Sequence, residues 1–140
     1  MKKECMCVSI VVIFVCLALS GCQDTKSTAT NFSGQNVLLQ STIVKFANVS
    51  FVKTINKSGE ISSAKVSWLF QNIAGRMINA TILVRFYDNK NVQLYNETKW
   101  IRYMPKGYTE KYLSPGANSV MFNDVNAALV DHVVITVTET

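Results

Sequence analysis

Residues 64–71, Ala-Lys-Val-Ser-Trp-Leu-Phe-Gln, place Ala64, Val66, Trp68 and Phe70 on one side of an extended chain. A period of two is the pattern of a strand with one face in a core. Residues 78–87 repeat it, with Ile78, Ala80, Ile82, Val84 and Phe86 on one side and Asn79, Thr81, Leu83, Arg85 and Tyr87 on the other. Near the end of the chain, Val133, Ile135 and Val137 alternate with Val134, Thr136 and Thr138. Two longer runs, 43–52 and 92–103, are strand-like but irregular, which predicts a bend or bulge in each. Turn-forming clusters divide these runs, among them Asn56-Lys57-Ser58-Gly59, Asp88-Asn89-Lys90-Asn91, Met104-Pro105-Lys106-Gly107 and Ser114-Pro115-Gly116-Ala117-Asn118. No segment carries a helical stripe, although 124–129 suits one short helical turn. Some six or seven short strands parted by turns predict an all-β, antiparallel sandwich.

The first 36 residues follow other rules. Lys2 and Lys3 precede an apolar stretch over 8–19, which ends in Leu19-Ser20-Gly21-Cys22. This is the pattern of a lipobox, where the leader is cut before the cysteine and the cysteine is lipidated. A retained anchor is the alternative, but the run 5–21 falls short of the ~20 residues that span a bilayer. No Arg-Arg pair precedes the run, which points away from twin-arginine export. Residues 23–35 are polar, rich in Ser, Thr and Asn, and without periodicity, so they read as a tether. The expected organisation is a leader over 1–21, lipidated Cys22 with a flexible tether over 22–36, and a sandwich over 37–140. The protein is expected on the extracytoplasmic face of the cell membrane, held by its lipid.

Composition then removes several functions. Taking Lys2, Lys3 and Glu4 from the whole-chain charge of +5 leaves +4 on the mature chain. The cations are scattered, so no nucleic-acid partner is expected. The four cysteines are Cys5, Cys7, Cys16 and Cys22, which leaves the sandwich without a thiol for a disulfide, a metal or a nucleophile. An exported domain of this kind relies on its core alone.

At Val84-Arg85-Phe86-Tyr87-Asp88 the chain resembles the FxLYD-type domains, named for a strand reading Phe-x-Leu-Tyr-Asp. Tyr87 and Asp88 match, while Val84 and Phe86 replace the first and third positions. Residues 66–72 followed by Gly75 are similar to that family's strand ending in Asn before a turn. Met104-Pro105-Lys106-Gly107 is similar to its Leu-x-Pro-Gly turn, with the Pro displaced by one. The resemblance covers roughly 62–138. It implies an immunoglobulin-like sandwich of about seven strands in an exported prokaryotic lipoprotein, and it implies no catalytic residues. Asp88 is expected to cap the turn that follows it.

Candidate chemistry is sparse. The one histidine, His132, adjoins Asp131, and neighbours on opposite faces of a strand would form no relay. Asp88, Asp124 and Asp131 show no calcium-loop spacing, and neither a metal nor a cofactor is expected. No enzymatic activity is expected. Aromatics gather at Tyr95, Trp100, Tyr103, Tyr108 and Tyr112, where they could form an outward stacking platform for a glycan or a protein. The competing placement is between the sheets, with a bulge turning Trp100 inward, and this placement is favoured. Five sequons, at Asn31, Asn48, Asn56, Asn79 and Asn96, mark candidate glycan acceptors. The functional expectation is a non-catalytic envelope lipoprotein acting as an accessory or adhesive protein-interaction module. A carbohydrate- or solute-binding lipoprotein using exposed aromatics is the alternative.

Overall fold

The computed structural model describes residues 29–33, 36–107 and 118–140. Cys22 and its lipobox, Tyr108 and Tyr112 lie outside them. The described residues form eight strands: β1 (Ala29–Ser33), β2 (Val37–Gln40), β3 (Val44–Ile55), β4 (Ile61–Asn72), β5 (Ile78–Tyr87), β6 (Gln93–Met104), β7 (Ser119–Phe122) and β8 (His132–Glu139). They make two four-stranded sheets, ordered β1-β3-β4-β7 and β2-β8-β5-β6. The sandwich is immunoglobulin-like. In the lettering of that fold, β3, β4 and β7 take the places of strands A, B and E. Strands β8, β5 and β6 take those of F, C and C′.

Two features depart from an all-antiparallel sandwich beginning at Val37. Strand β2 runs parallel to β8, in register from Val37↔Val133 to Gln40↔Thr136. It fills the place of strand G, but it arrives from the N-terminal side rather than through a hairpin. Strand β1 falls within the stretch read as tether and pairs antiparallel with β3. A polar segment can be recruited there because an edge strand pairs through its backbone and does not require a hydrophobic stripe.

The alternating positions are where the pattern puts them. Ala64, Val66, Trp68, Phe70, Ile78, Ala80, Ile82, Val84, Phe86, Val133, Ile135 and Val137 are all buried in one core between the sheets. Phe86 lies 5.9 Å from the Tyr95 ring and 6.0 Å from Phe122, and Trp68 and Phe70 are 5.8 Å apart. Both irregular runs contain bulges. Ala47 is extra in β3, between Phe46↔Phe70 and Asn48↔Leu69, and β6 has register shifts near both of its ends.

The turns are held by side chains. Asp88 Oδ1 accepts the backbone N–H groups of Lys90 and Val92 at 2.8 Å each, as its position after the strand suggested. Asn56 Oδ1 caps the β3–β4 turn in the same way, accepting from Ser58 and Glu60. The 3-10 turn Val125–Leu129 has Asp124 as its N-cap, accepting from Asn126 N.

At the opposite end one buried residue ties three segments together. Asn72 Nδ2 donates to the carbonyls of Arg76 (2.7 Å), Met104 (2.9 Å) and Pro105 (3.0 Å). Its Oδ1 accepts Ala74 N, and its own carbonyl accepts Gly107 N at 3.1 Å. Gly107 has φ +72, a left-handed conformation that costs a glycine little.

Candidate binding site on strand β6

Among the described residues strand β6 is at the edge of its sheet, with no described strand paired to one row of its backbone groups. Its inner face carries Tyr95, Glu97, Lys99 and Ile101, opposite the buried Phe86, Val84, Ile82 and Ala80. Glu97 and Lys99 form an ion pair on that inner side. Tyr95 OH donates to Glu97 Oε2 at 3.2 Å. Burial and the neighbouring Glu97 carboxylate push the Tyr95 phenol above its ordinary pKa.

The outer face is set by a bulge. Ala80 pairs with Ile101 and Ile78 with Met104, so Arg102 and Tyr103 together oppose Asn79. Tyr103 takes φ +55, rare for a residue with a Cβ, at a cost on the order of 1 kcal/mol. Asn79 Oδ1 clamps this conformation by accepting Tyr103 N at 2.8 Å. Thr140 N donates to the Asn79 carbonyl at 3.0 Å. Two residues beyond Tyr103, the Asn72 network holds Pro105 from the other side.

Trp100 and Tyr103 are 60% and 64% exposed. They border a shallow depression of about 290 Å³, lined with Asn79, Arg102 and Thr140. The expectation that a bulge turns Trp100 inward is therefore overturned. The bulge falls after Ile101, so alternation up to that point is intact and Trp100 faces out opposite Thr81. The same bulge reverses Tyr103, which shares its sequence parity with buried Ile101.

Tyr95 is no part of an outward platform. Its ring stacks on Phe122 at 5.0 Å and 9° and packs against the core. Of the five aromatics proposed from sequence, the structure brings Trp100 and Tyr103 to one surface and turns Tyr95 away. Asn79 and Arg102, which complete the surface, carried no signal as binding residues. The Asn-Ala-Thr sequon at Asn79 marked the right position for a different reason.

The remaining candidates are placed as follows. Asn48, Asn56, Asn79 and Asn96 are exposed, while Asn31 lies on β1, of which only the backbone is described. His132 and Asp131 do pair, with Nδ1 at 3.1 Å from Oδ2, because Asp131 precedes the strand and is free of its alternation. The His132 ring lies flat on Tyr87 at 5.3 Å. Among the described residues no three metal-ligating side chains converge. Lys53 Nζ donates to Ala128 O at 3.1 Å, and burial holds its amine below the usual lysine range.

The outer face of the sheet is otherwise knitted by polar contacts. Arg85 donates to Thr136 Oγ1 at 2.7 Å, and Thr136 donates to Gln40 Oε1 at 3.0 Å. Beside it, β6 resists the addition of a further strand. Inward charges and bulges are the devices by which edge strands avoid such pairing, and β6 has both. Recognition here would fall to the outward side chains. No family model, no curated protein and no solved structure matches this chain.

Proposed function

We propose that this is a lipid-anchored, exported, immunoglobulin-like module of the cell envelope that binds a protein partner through the outer face of β6. In this reading it is an accessory or adhesive protein and catalyses nothing. The observation that carries it is the pair Trp100 and Tyr103. Both are large aromatics held largely in solvent, one of them in a conformation that costs free energy. Exposed aromatics beside an arginine are the residue types that dominate protein interfaces. The lipobox at Cys22, the absence of thiols from the sandwich and the resemblance to FxLYD-type domains support the envelope setting.

A glycan ligand is the second reading, favoured by the same two rings and the polar groups of Asn79 and Arg102 beside them. With Tyr95 turned inward, the described platform is two rings rather than several, which weakens that reading. A photo-reactive amino acid in place of Trp100, in cells that make the protein natively, separates the two. The expected result is a discrete protein adduct that is absent when the same group replaces Ser50 on the other sheet, and that is lost in Tyr103→Ala. Adducts on cell-wall polysaccharide alone would move the assignment to the glycan reading. Equal adducts from both positions would remove the site.

A further inference from the structure

Where the chain enters the sandwich limits which end can face a membrane. Ala29, the first residue of β1, pairs with Thr54, next to the 56–60 turn. The 3-10 turn is at this same end, where Lys53 Nζ meets Ala128 O, and so is the 88–92 turn, where Asp131 N donates to Tyr87 O at 2.8 Å. This is the basal end. Tyr103 and the Asn72 network belong to the opposite, apical end.

Cys22 and Ala29 are seven residues apart, a reach of at most ~25 Å when fully extended. Strand β4 has twelve residues and runs from one end to the other, about 36–40 Å at ~3.3 Å per residue. A chain anchored at Cys22 therefore cannot rest its apical end on the bilayer, because the tether is too short to run back along the sandwich. The basal end or a flank must face the lipid.

The side chains choose between these. The basal end presents Val125, 86% exposed, and Leu129, 56% exposed, both on the 3-10 turn. Beside Val125 a depression of about 580 Å³ is lined by Ile61, Val125 and Ala128 together with the polar Asn56, Glu60, Ser62, Asn123 and Asp124. Charge at this end is mixed, with Lys53, Lys57 and Lys90 against Glu60, Asp88, Asp124 and Asp131. The flank of the first sheet presents Ser50 and Lys65 with Met121, 48% exposed, beside Lys65. The second sheet presents Leu38 and Trp100, 55% and 60% exposed, apart from each other on strands at its two edges.

We propose that the basal end docks on the bilayer that holds the anchor, with Val125 and Leu129 seated at the headgroup–acyl boundary. The β6 surface is then carried on the far half of the sandwich, facing away from the membrane. The occupant of this apolar patch is a lipid surface, and the proposal rests on Cys22 being lipid-modified. Two aliphatic side chains would bind a membrane weakly on their own. The short tether keeps them at high local concentration and makes a weak contact sufficient.

Cysteine usage gives a clean test, since Cys22 is the sole cysteine once residues 1–21 are removed. The full chain, extracted from membranes and reconstituted in phosphatidylcholine vesicles, would carry one environment-sensitive fluorophore at Val125→Cys, Leu129→Cys, Ser50→Cys or Lys106→Cys. All four positions are solvent-exposed, so the core is untouched. Shallow nitroxide-labelled lipid should quench the probes at 125 and 129 about threefold or more over those at 50 and 106, with blue-shifted emission, as for side chains at the acyl boundary. Adding phosphatidylglycerol should leave that ratio unchanged. Equal quenching at all four positions, in a wild-type chain whose Cys22 refuses thiol reagents, overturns the docking and leaves the anchor intact. A ratio that arises only with phosphatidylglycerol overturns apolar seating in favour of Lys57 and Lys90. A wild-type Cys22 that reacts freely with thiol reagents removes the anchor, and the docking with it.

Discussion

Asn72→Ala is the substitution that would disturb the apical end most from a single side chain. The amide places two hydrogens among three carbonyls, those of Arg76, Met104 and Pro105, and takes Ala74 N in return. Asn72 is 2% exposed, and the bond to Met104 is buried. Losing a hydrogen bond costs ~1 kcal/mol net, and leaving a buried carbonyl unsatisfied raises that to ~1–3 kcal/mol. With the outer carbonyls partly rehydrated, the sum is ~3–4 kcal/mol. For a domain of this size each kcal/mol moves the midpoint by ~4–8 °C, so Tm should fall by ~12–32 °C. Thermal unfolding followed by near-ultraviolet dichroism measures it. Asn72→Asp sharpens the test, because the introduced carboxylate would face the same carbonyls with no hydrogen to give. Burial and those oxygens would raise its folded pKa above the unfolded value. A group raised in the fold has its stability in place below the unfolded pKa and loses it as pH rises through the folded one. The Asp variant should therefore approach wild type toward pH 4 and fall away toward neutrality, whereas the Ala variant keeps a constant deficit. A loss under about 1 kcal/mol for Asn72→Ala, or parallel pH profiles for the two variants, would refute the network as the apical tie.

Other expectations follow from the same geometry. Phe86→Ala, at a fully buried position between Tyr95 and Phe122, should cost ~3–5 kcal/mol in a denaturant titration. Trp100→Ala should leave stability within ~0.5 kcal/mol of wild type while abolishing partner capture, the opposite of what a core tryptophan would do. The Tyr95 phenol is raised in the fold, so its contribution is present below the ordinary phenol pKa and is lost as pH rises through the folded value. Wild type should thus lose more stability than Tyr95→Phe on alkaline titration, and the variant should lack a phenol that ionises above the ordinary range in absorbance at 295 nm. The unfolding midpoint of the mature chain should not respond to reductant, since no cysteine lies beyond Cys22.

The strands that bury one clean face were legible because their period of two has a single physical cause. Residues 64–71 and 78–87 needed no partner to be identified, and Asp88 showed its capping role by following a strand directly. Strand β2 was invisible as a parallel neighbour of β8, since Val-Leu-Leu-Gln says nothing about which edge it meets. Strand β1 has the composition of a tether because backbone pairing at an edge leaves no hydrophobic stripe. At β6 the sequence predicted a bulge but not its position, and position decides everything there. Displaced by a few residues toward the start of the strand, the same bulge would bury Trp100 and expose Ile101. Asn79 and Asn72 fix the bulge and the turn beyond it through single amide groups. An asparagine that clamps a backbone looks, in sequence, like any other.

The binding surface proposed on β6 requires Trp100 to be the tryptophan that meets the partner. The chain has two tryptophans, and the fold separates them: Trp68 is 2% exposed, and Trp100 is 60% exposed. Incorporating 5-fluorotryptophan gives one fluorine resonance for each, assigned with Trp100→Phe, against an envelope extract that contains no fluorine. The prediction is that only the Trp100 line shows a water–deuterium oxide shift in the free protein. On adding detergent-solubilised envelope it should then lose that shift, while the Trp68 line keeps its position. A Trp100 line already shielded in the free protein, or one whose solvent shift survives at every concentration of extract, would contradict it.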